Sequence, residues 1–270
     1  MRTVIVALVA AAGGAGAAWG VRGQLSGPVE YSVPRLADGH PDLNGVWQAV
    51  SAANWNIQDH AASAGPVVAL GAAFSVPGGR GVVDGNELPY QDWALARRDE
   101  NAAQWLTKDP EVKCYLPGVP RATYMPYPFQ VVQGANAVLM AYEFAGATRL
   151  VSMAGASEPP APSWMGFSRG RWDGDALVVE VTGFNEDTWF DRAGNFHSDE
   201  MRVVERYTRT GPDRLQYEAT ITDDKVFTRP WTMRMPLYRR LEPGARLVEY
   251  KCVEFVEELM YGHLRKVPRR

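Results

Sequence analysis

Between Asn185 and Glu200 the chain reads Asn-Glu-Asp-Thr-Trp-Phe-Asp-Arg-Ala-Gly-Asn-Phe-His-Ser-Asp-Glu. One imidazole, His197, stands there among the carboxylates of Glu186, Asp187, Asp191, Asp199 and Glu200. A neighbouring carboxylate raises the pKa of an imidazole and fixes its orientation, so the ring can take or give a proton near neutral pH. His197 with Asp191 or Glu200 is therefore the leading acid/base pair. The same residues also allow a structural reading: Ser198 with Asp199 and Glu200 can begin a turn, Asp191 to Asn195 has turn chemistry, and a lone loop histidine can serve as a hydrogen-bonded brace. Trp189 lies in the segment, and Tyr207, Tyr217, Trp231 and Trp172 fall in or beside the strands around it. Such rings either line a pocket, where a flat or sugar-like ring could stack, or fill a core.

A second candidate is a carboxylate pair. Glu205, Glu218 and Glu249 recur on alternating segments, and a carboxylate facing the inside of a sheet is costly unless it is used or paired. If Glu205 and Glu218 both point inward, paired-carboxylate chemistry rivals His197. With Arg202, Arg206 and Arg234 as partners, they instead form a solvated outer face. Gly166-Phe167-Ser168-Arg169-Gly170 matches the Gly-x-Ser-x-Gly string, but a hydrolase elbow needs a strand before it and a helix after it, and here a Pro-rich loop precedes and a hairpin follows. Asp191 to Asn195 lacks the acidic spacing of a calcium loop. His40, His60 and His263 are too dispersed to make a zinc site without long-range assembly. No metal or cofactor is implied by any spacing rule.

These residues need a scaffold, and the pattern after Pro128 supplies one. Phe129 to Gln133 and Ala137 to Phe144 read as a hairpin, Arg149 to Met153 as a strand, and Gly170 to Val181 as a hairpin turning at Asp173-Gly174. Met201 to Thr208, Leu215 to Thr222, Lys225 to Leu237 and Leu247 to Val253 alternate as further strands, the third interrupted at Pro230. Short strands with frequent turn signals and no helices between them predict an all-β fold, an antiparallel barrel or strongly curled sheet. Before Pro128 the chain is irregular. It holds a first strand at Leu43 to Val50, an apolar stretch at Val67 to Val76, and one helix within Pro89 to Leu106, with Trp93, Leu95, Ala96, Ala103, Trp105 and Leu106 on its apolar side. The five prolines between Asp109 and Pro128 predict an extended, loop-like connection. The expected organisation is a leader over 1–20, an irregular region over 21–128 that wraps the sheet, and the main β region over 129–270, the last two forming one domain.

The 28 basic and 31 acidic residues give a net charge of −3, which removes the cationic excess that holds nucleic acid or anionic lipid. Met1-Arg2, the apolar run after it and the small residues before Gly20 resemble a secretory signal, which implies a periplasmic or secreted protein that leaves the membrane once cleaved. Cys114 and Cys252 are the only cysteines, and an oxidising compartment favours their disulfide; two buried thiols or one reactive thiol are the alternatives.

Gly45-Val46-Trp47 resembles the Gly-x-Trp that opens the lipocalin and wider calycin barrels. That resemblance implies a barrel end plugged by the tryptophan, a cup for a small apolar ligand, and a partner arginine near the last strand, for which Arg239, Arg240 and Arg246 compete. The stretch from Gly166 to Trp231 is similar to a set of secreted bacterial proteins of uncharacterised function, and it brings no activity with it. Two function classes follow. One is an enzyme performing acid/base chemistry (isomerisation, elimination, cyclisation or hydrolysis) on a small apolar or aromatic molecule. The other is a non-catalytic carrier of such a molecule. A barrel packed solid by side chains would instead indicate a structural or interaction module. The sequence leaves the oligomeric state open.

Overall fold

The computed structural model describes residues 31–65, 72, 75–155 and 161–250. The leader, most of the apolar stretch at 67–76, Cys252 and His263 lie outside the described residues. Nine strands close into a barrel in chain order: β1 (Gly45–Ala49), β2 (Phe129–Gln133), β3 (Ala137–Tyr142), β4 (Thr148–Ser152), β5 (Phe167–Asp173), β6 (Ala176–Thr182), β7 (Arg202–Gly211), β8 (Arg214–Thr222) and β9 (Trp231–Arg239). Pairing of β1 with both β2 and β9 closes the ring. The sheet is therefore a barrel and not an open curl. Every neighbouring pair is antiparallel except β4 and β5, which run parallel. Lipocalin barrels have eight strands; this one shares their closure but adds a ninth strand and the parallel step.

Period-two alternation explains why these segments became strands. In β8, Leu215, Tyr217, Ala219 and Ile221 are buried while the residues between them are half-buried, and β7 and β9 repeat the pattern. The hairpin of β5 and β6 pairs Asp173 with Ala176, so its turn is Gly174-Asp175, one residue later than the sequence pattern placed it. Gly174, at φ 57°, takes the positive-φ position that a tight hairpin turn requires.

The register gives the barrel two unlike ends. At one end lie the lead-in at 31–44, the tight turns at 134–136, 174–175 and 212–213, and the chain after β9. At the other end emerge the connections 50–128, 143–147, 183–201 and 223–230.

The closed end is held by the motif read in the sequence. Trp47 is fully buried, its indole N–H donates to the Leu43 carbonyl at 2.9 Å, and the Arg239 guanidinium sits 4.6 Å from the centre of its ring. Of Arg239, Arg240 and Arg246, Arg239 is the one set against Trp47, since β9 pairs with β1 and places the two opposite each other. Gly45 is required beside them: its φ is +140°, and a Cβ there would stand 2.6 Å from Arg239 Nη1.

Three expectations for the first half and the tail need correction. The helix forms, as α1 (Asp92–Ala103), but its buried residues are Ala94 and Asn101, whereas Trp93 and Leu95 are exposed. Two further four-residue helices, α2 (Trp105–Lys108) and α3 (Arg121–Tyr124), follow it. The segment 109–128 is not extended and loop-like throughout. It folds as a 3-10 turn over Pro110–Lys113 followed by α3, and α3 is buried throughout. The prolines terminate each short helix without forcing the chain outward, and buried ion pairs hold it in. Finally, Leu247 to Tyr250 forms no strand; β9 already closes the barrel, and the ring has no open edge for this segment to join.

Candidate functional site

The long connections at the open end enclose a cleft of about 760 Å³. Its lining comes from α1, α2, residues 110–115, Trp164, residues 186–198 and Val226, and none of it lies on a barrel strand. Trp93, Tyr115, Trp164, Trp189 and Phe196 supply aromatic surface. Tyr115 and Trp164 stack in parallel, centroids 5.0 Å apart and planes 5° apart, and Tyr115 is 53% exposed. Arg97, Lys108 and Lys113 bring positive charge, while Glu186 and Asp187 bring negative charge from the 183–201 connection. A cleft of this size, mixing aromatic surface with polar and charged side chains of both signs, suits a small molecule.

Buried ion pairs join the segments that border the cleft. Arg121 of α3 makes two 2.8 Å bonds to the Asp109 carboxylate, donates to Asn54 Oδ1 at 3.0 Å, and reaches Glu111 at 3.3 Å. Burial works against the Arg121 guanidinium, and Asp109 and Glu111 overcome it and push its pKa up. Glu111 in turn accepts from Arg192 at 2.9 and 3.1 Å, and Arg192 lies over the rings of Trp55 and Trp105 at 4.3 and 5.2 Å. This network ties α3 and the 110–113 turn to the connection that carries His197.

His197 lines the cleft but is only 2% exposed. Its Nδ1 lies 2.8 Å from the Ser198 carbonyl, which can only accept, so Nδ1 carries the proton. Nε2 of the neutral ring then accepts from the Thr188 hydroxyl at 2.6 Å. Burial lowers the pKa of the ring, which is neutral at pH 7. Ser198 is itself fixed by Asp223, whose carboxylate accepts from the Ser198 amide at 2.7 Å and its hydroxyl at 2.8 Å. On the far side of Thr188, Gly118 at φ +74° approaches so closely that a Cβ would lie 2.6 Å from Oγ1.

The structure does not join His197 to either expected carboxylate. Asp191 is fully buried and accepts from the backbone amides of Ile57, Ala193 and Asn195 at 2.8, 2.9 and 3.2 Å, and from the Asn195 side chain at 2.7 Å. Burial pushes its carboxyl up to about 6 against the pull of those donors. Glu200 pairs with Lys225 at 2.9 Å on the surface. Both carboxylates therefore organise the connection rather than the imidazole.

The carboxylate pair is likewise divided. Glu205 stands opposite Ala219 and Arg206 opposite Glu218, so Glu205 and Glu218 fall on different faces of the sheet. Glu218 meets Arg234 at 3.4 Å on the outside. Glu205 is fully buried inside the barrel, bonded to Arg149 at 2.5 Å, Tyr207 at 2.9 Å and Tyr217 at 2.8 Å. Burial first, and Glu205 second, raise both phenols well above their ordinary pKa, so they remain donors.

Of the aromatic candidates, only Trp189 lines the cleft. Tyr207 and Tyr217 are barrel interior, Trp231 packs on Phe190 in the core, and Trp172 stacks on His40 at the closed end, centroids 4.7 Å apart. Ser168 is 1% exposed on β5, far from an elbow geometry. Among the described residues no three His, Cys, Asp or Glu side chains cluster as metal ligands, and none of their helices is long and apolar enough to cross a membrane. Cys114 is not a free thiol. Sequence reasoning missed Trp93, Tyr115, Trp164, Arg121 and Thr188. Aromatics beside Pro-rich segments hinted at Tyr115 and Trp164.

The chain matches no protein-family model and no curated protein. What the chain shares with lipocalins is therefore a closed, mostly antiparallel barrel.

Proposed function

We propose that the chain is a small-molecule-binding protein whose ligand lies in the open-end cleft, a flat or sugar-like ring carrying an anionic group. The carrying observation is the parallel Tyr115 and Trp164 pair, an aromatic platform at the cleft wall, with Arg97, Lys108 and Lys113 at its rim. Stacking on such a platform leaves the ring edge free for charge recognition. Binding without conversion is the favoured form. His197 and Asp191 direct their polar atoms to Thr188, Ser198, Ile57, Ala193 and Asn195, leaving neither as an acid/base pair with the other. The reading keeps the protein in the periplasm or outside the cell, on the strength of the leader-like Met1 to Gly20, and keeps the Cys114–Cys252 disulfide as its staple.

One observation favours acid/base chemistry as the second reading: His197 lines the cleft as a neutral ring of fixed tautomer beside the Thr188 hydroxyl. One experiment separates the two. 2-Naphthoate and 1-naphthalenesulfonate are titrated while tryptophan fluorescence is followed, and the recovered probe is weighed by mass spectrometry. Saturable quenching with unchanged probe, weakened about tenfold by Trp164→Ala, supports the carrier. A converted probe whose formation is lost in His197→Gln establishes the enzyme instead, and the absence of saturable quenching rejects the cleft as the site.

A further inference from the structure

The cleft carries charges of both signs that the protein itself leaves unmatched. Lys108 pairs with Glu100 at 2.7 Å, but Arg97, Lys113, Glu186 and Asp187, which also line the cleft, form no ion pair among the described residues, whether with one another or with a third group. All four are exposed.

The signs are sorted by segment. Lys113 stands two residues before Tyr115, and Arg97 one turn after Trp93 on α1, so basic charge arrives with those two rings. Acidic charge arrives with Trp164. The Ser163 amide donates to the Gly183 carbonyl at 2.9 Å and the Asn185 amide to the Ser163 carbonyl at 3.1 Å, which ties Trp164 to the stretch of chain that continues into Glu186 and Asp187. The stacked Tyr115 and Trp164 rings therefore join a basic segment to an acidic one. A ring lying on that platform is approached by cationic side chains from one segment and by anionic side chains from the other.

That arrangement selects among ligands by charge. Glu186 and Asp187 repel a simple anion, and Arg97 and Lys113 repel a simple cation; a molecule bearing both charges turns all four into partners. We propose that the cleft binds a small aromatic zwitterion, an aromatic amino acid being the simplest, with its carboxylate toward Arg97 and Lys113, its ammonium toward Glu186 and Asp187, and its ring on Tyr115 and Trp164. The inference rests on the reading of the cleft as the ligand site, and it adds a second, cationic group to the anionic one that reading assigns.

The test is calorimetry on the full chain at neutral pH with three probes: 3-(2-naphthyl)alanine, 3-(2-naphthyl)propionate, which lacks the ammonium, and 2-(2-naphthyl)ethylamine, which lacks the carboxylate. The amino acid should bind about fivefold tighter than either truncated probe, the gain expected of one exposed charge pair. Glu186→Gln combined with Asp187→Asn should abolish its preference over the propionate, and Arg97→Gln combined with Lys113→Gln its preference over the amine. Because these side chains are exposed, both double variants should keep the parent's Tm, which checks that they are folded. A truncated probe that binds the parent as tightly as the amino acid does, or a preference that survives its double variant, overturns the zwitterion and leaves the cleft as the ligand site. No saturable binding of any of the three overturns the cleft reading itself.

Discussion

The two ends of the barrel are built from different materials. At the closed end the lead-in is stitched to the strands by bonds to backbone and amide groups and by one exposed ion pair: Leu43 donates to Gln133 at 2.5 Å, Gln133 to Pro41 at 3.0 Å, Arg209 to the carbonyls of Asp42 and Pro212, and Arg35 meets Asp175 at 2.9 Å. Among the described buried charged residues, only Arg209 lies there. Asp109, Glu111, Arg121, Asp191, His197 and Asp223 all gather at the open end. Apolar packing around a tryptophan plug is insensitive to conditions, whereas buried charges tie a structure to its protonation state and to the presence of every partner. The closed end is thus scaffold, and the open end is the part whose shape can be perturbed.

The largest perturbation is expected at Arg121. Arg121→Met leaves Asp109 buried without its counter-charge and Glu111 with Arg192 alone. Removing one partner of a buried pair costs about 3–5 kcal/mol. Urea unfolding followed by tryptophan fluorescence should register that loss, and Asp109→Asn in the same chain should recover part of it. A loss under about 1 kcal/mol would mean that the network adds nothing to the open end, and the contrast between the ends would collapse.

Asp191 sharpens the contrast through pH. Its folded pKa of about 6 lies above the ordinary aspartate value near 3.9, so the native state holds this proton more tightly than the unfolded chain. Its contribution to stability is fully present below pH ~4 and is lost as pH rises to about 6, a change on the order of 3 kcal/mol. Asp191→Asn cannot titrate. The stability difference between parent and variant, measured from pH 4 to 7, should therefore shift against the parent across that window. A shift of the opposite sign would show that the four N–H donors, and not burial, govern the carboxylate.

The same contrast marks what the amino-acid order disclosed. Strands β5 to β9 were legible because alternation is local, and the plug was legible because Gly45 and Trp47 are two residues apart. Its arginine was not, since only the pairing of β1 with β9 chooses Arg239 over Arg240 and Arg246. Alternation also leaves its phase undetermined. Glu205 and Glu218 look alike in sequence, and the register that sets Glu205 against Ala219 sends them to opposite faces. The open end was the least legible. Five prolines made 109–128 read as an extended, loop-like connection, while its folded form is held by Arg121 reaching Asn54, 67 positions away. His197 was found by composition, but its partner Thr188 was passed over for carboxylates that serve backbone amides instead.

The remaining effect belongs to the closed end, at Gly45. An alanine there must hold φ near +140°, a region L-residues rarely enter, at a cost of about 1–3 kcal/mol. Its methyl group also meets the tip of the Arg239 side chain, which can swing aside because it is flexible and only part-buried. That movement would take the guanidinium off the Trp47 ring and remove a contact of about 0.5–2 kcal/mol. Gly45→Ala should therefore lower the unfolding free energy by a few kcal/mol at most, equally at pH 4 and pH 7, while leaving probe binding in the cleft unchanged. A pH-dependent loss, or a change in cleft affinity, would show that the two ends are coupled through the strands, and that the scaffold is not independent of the site it carries.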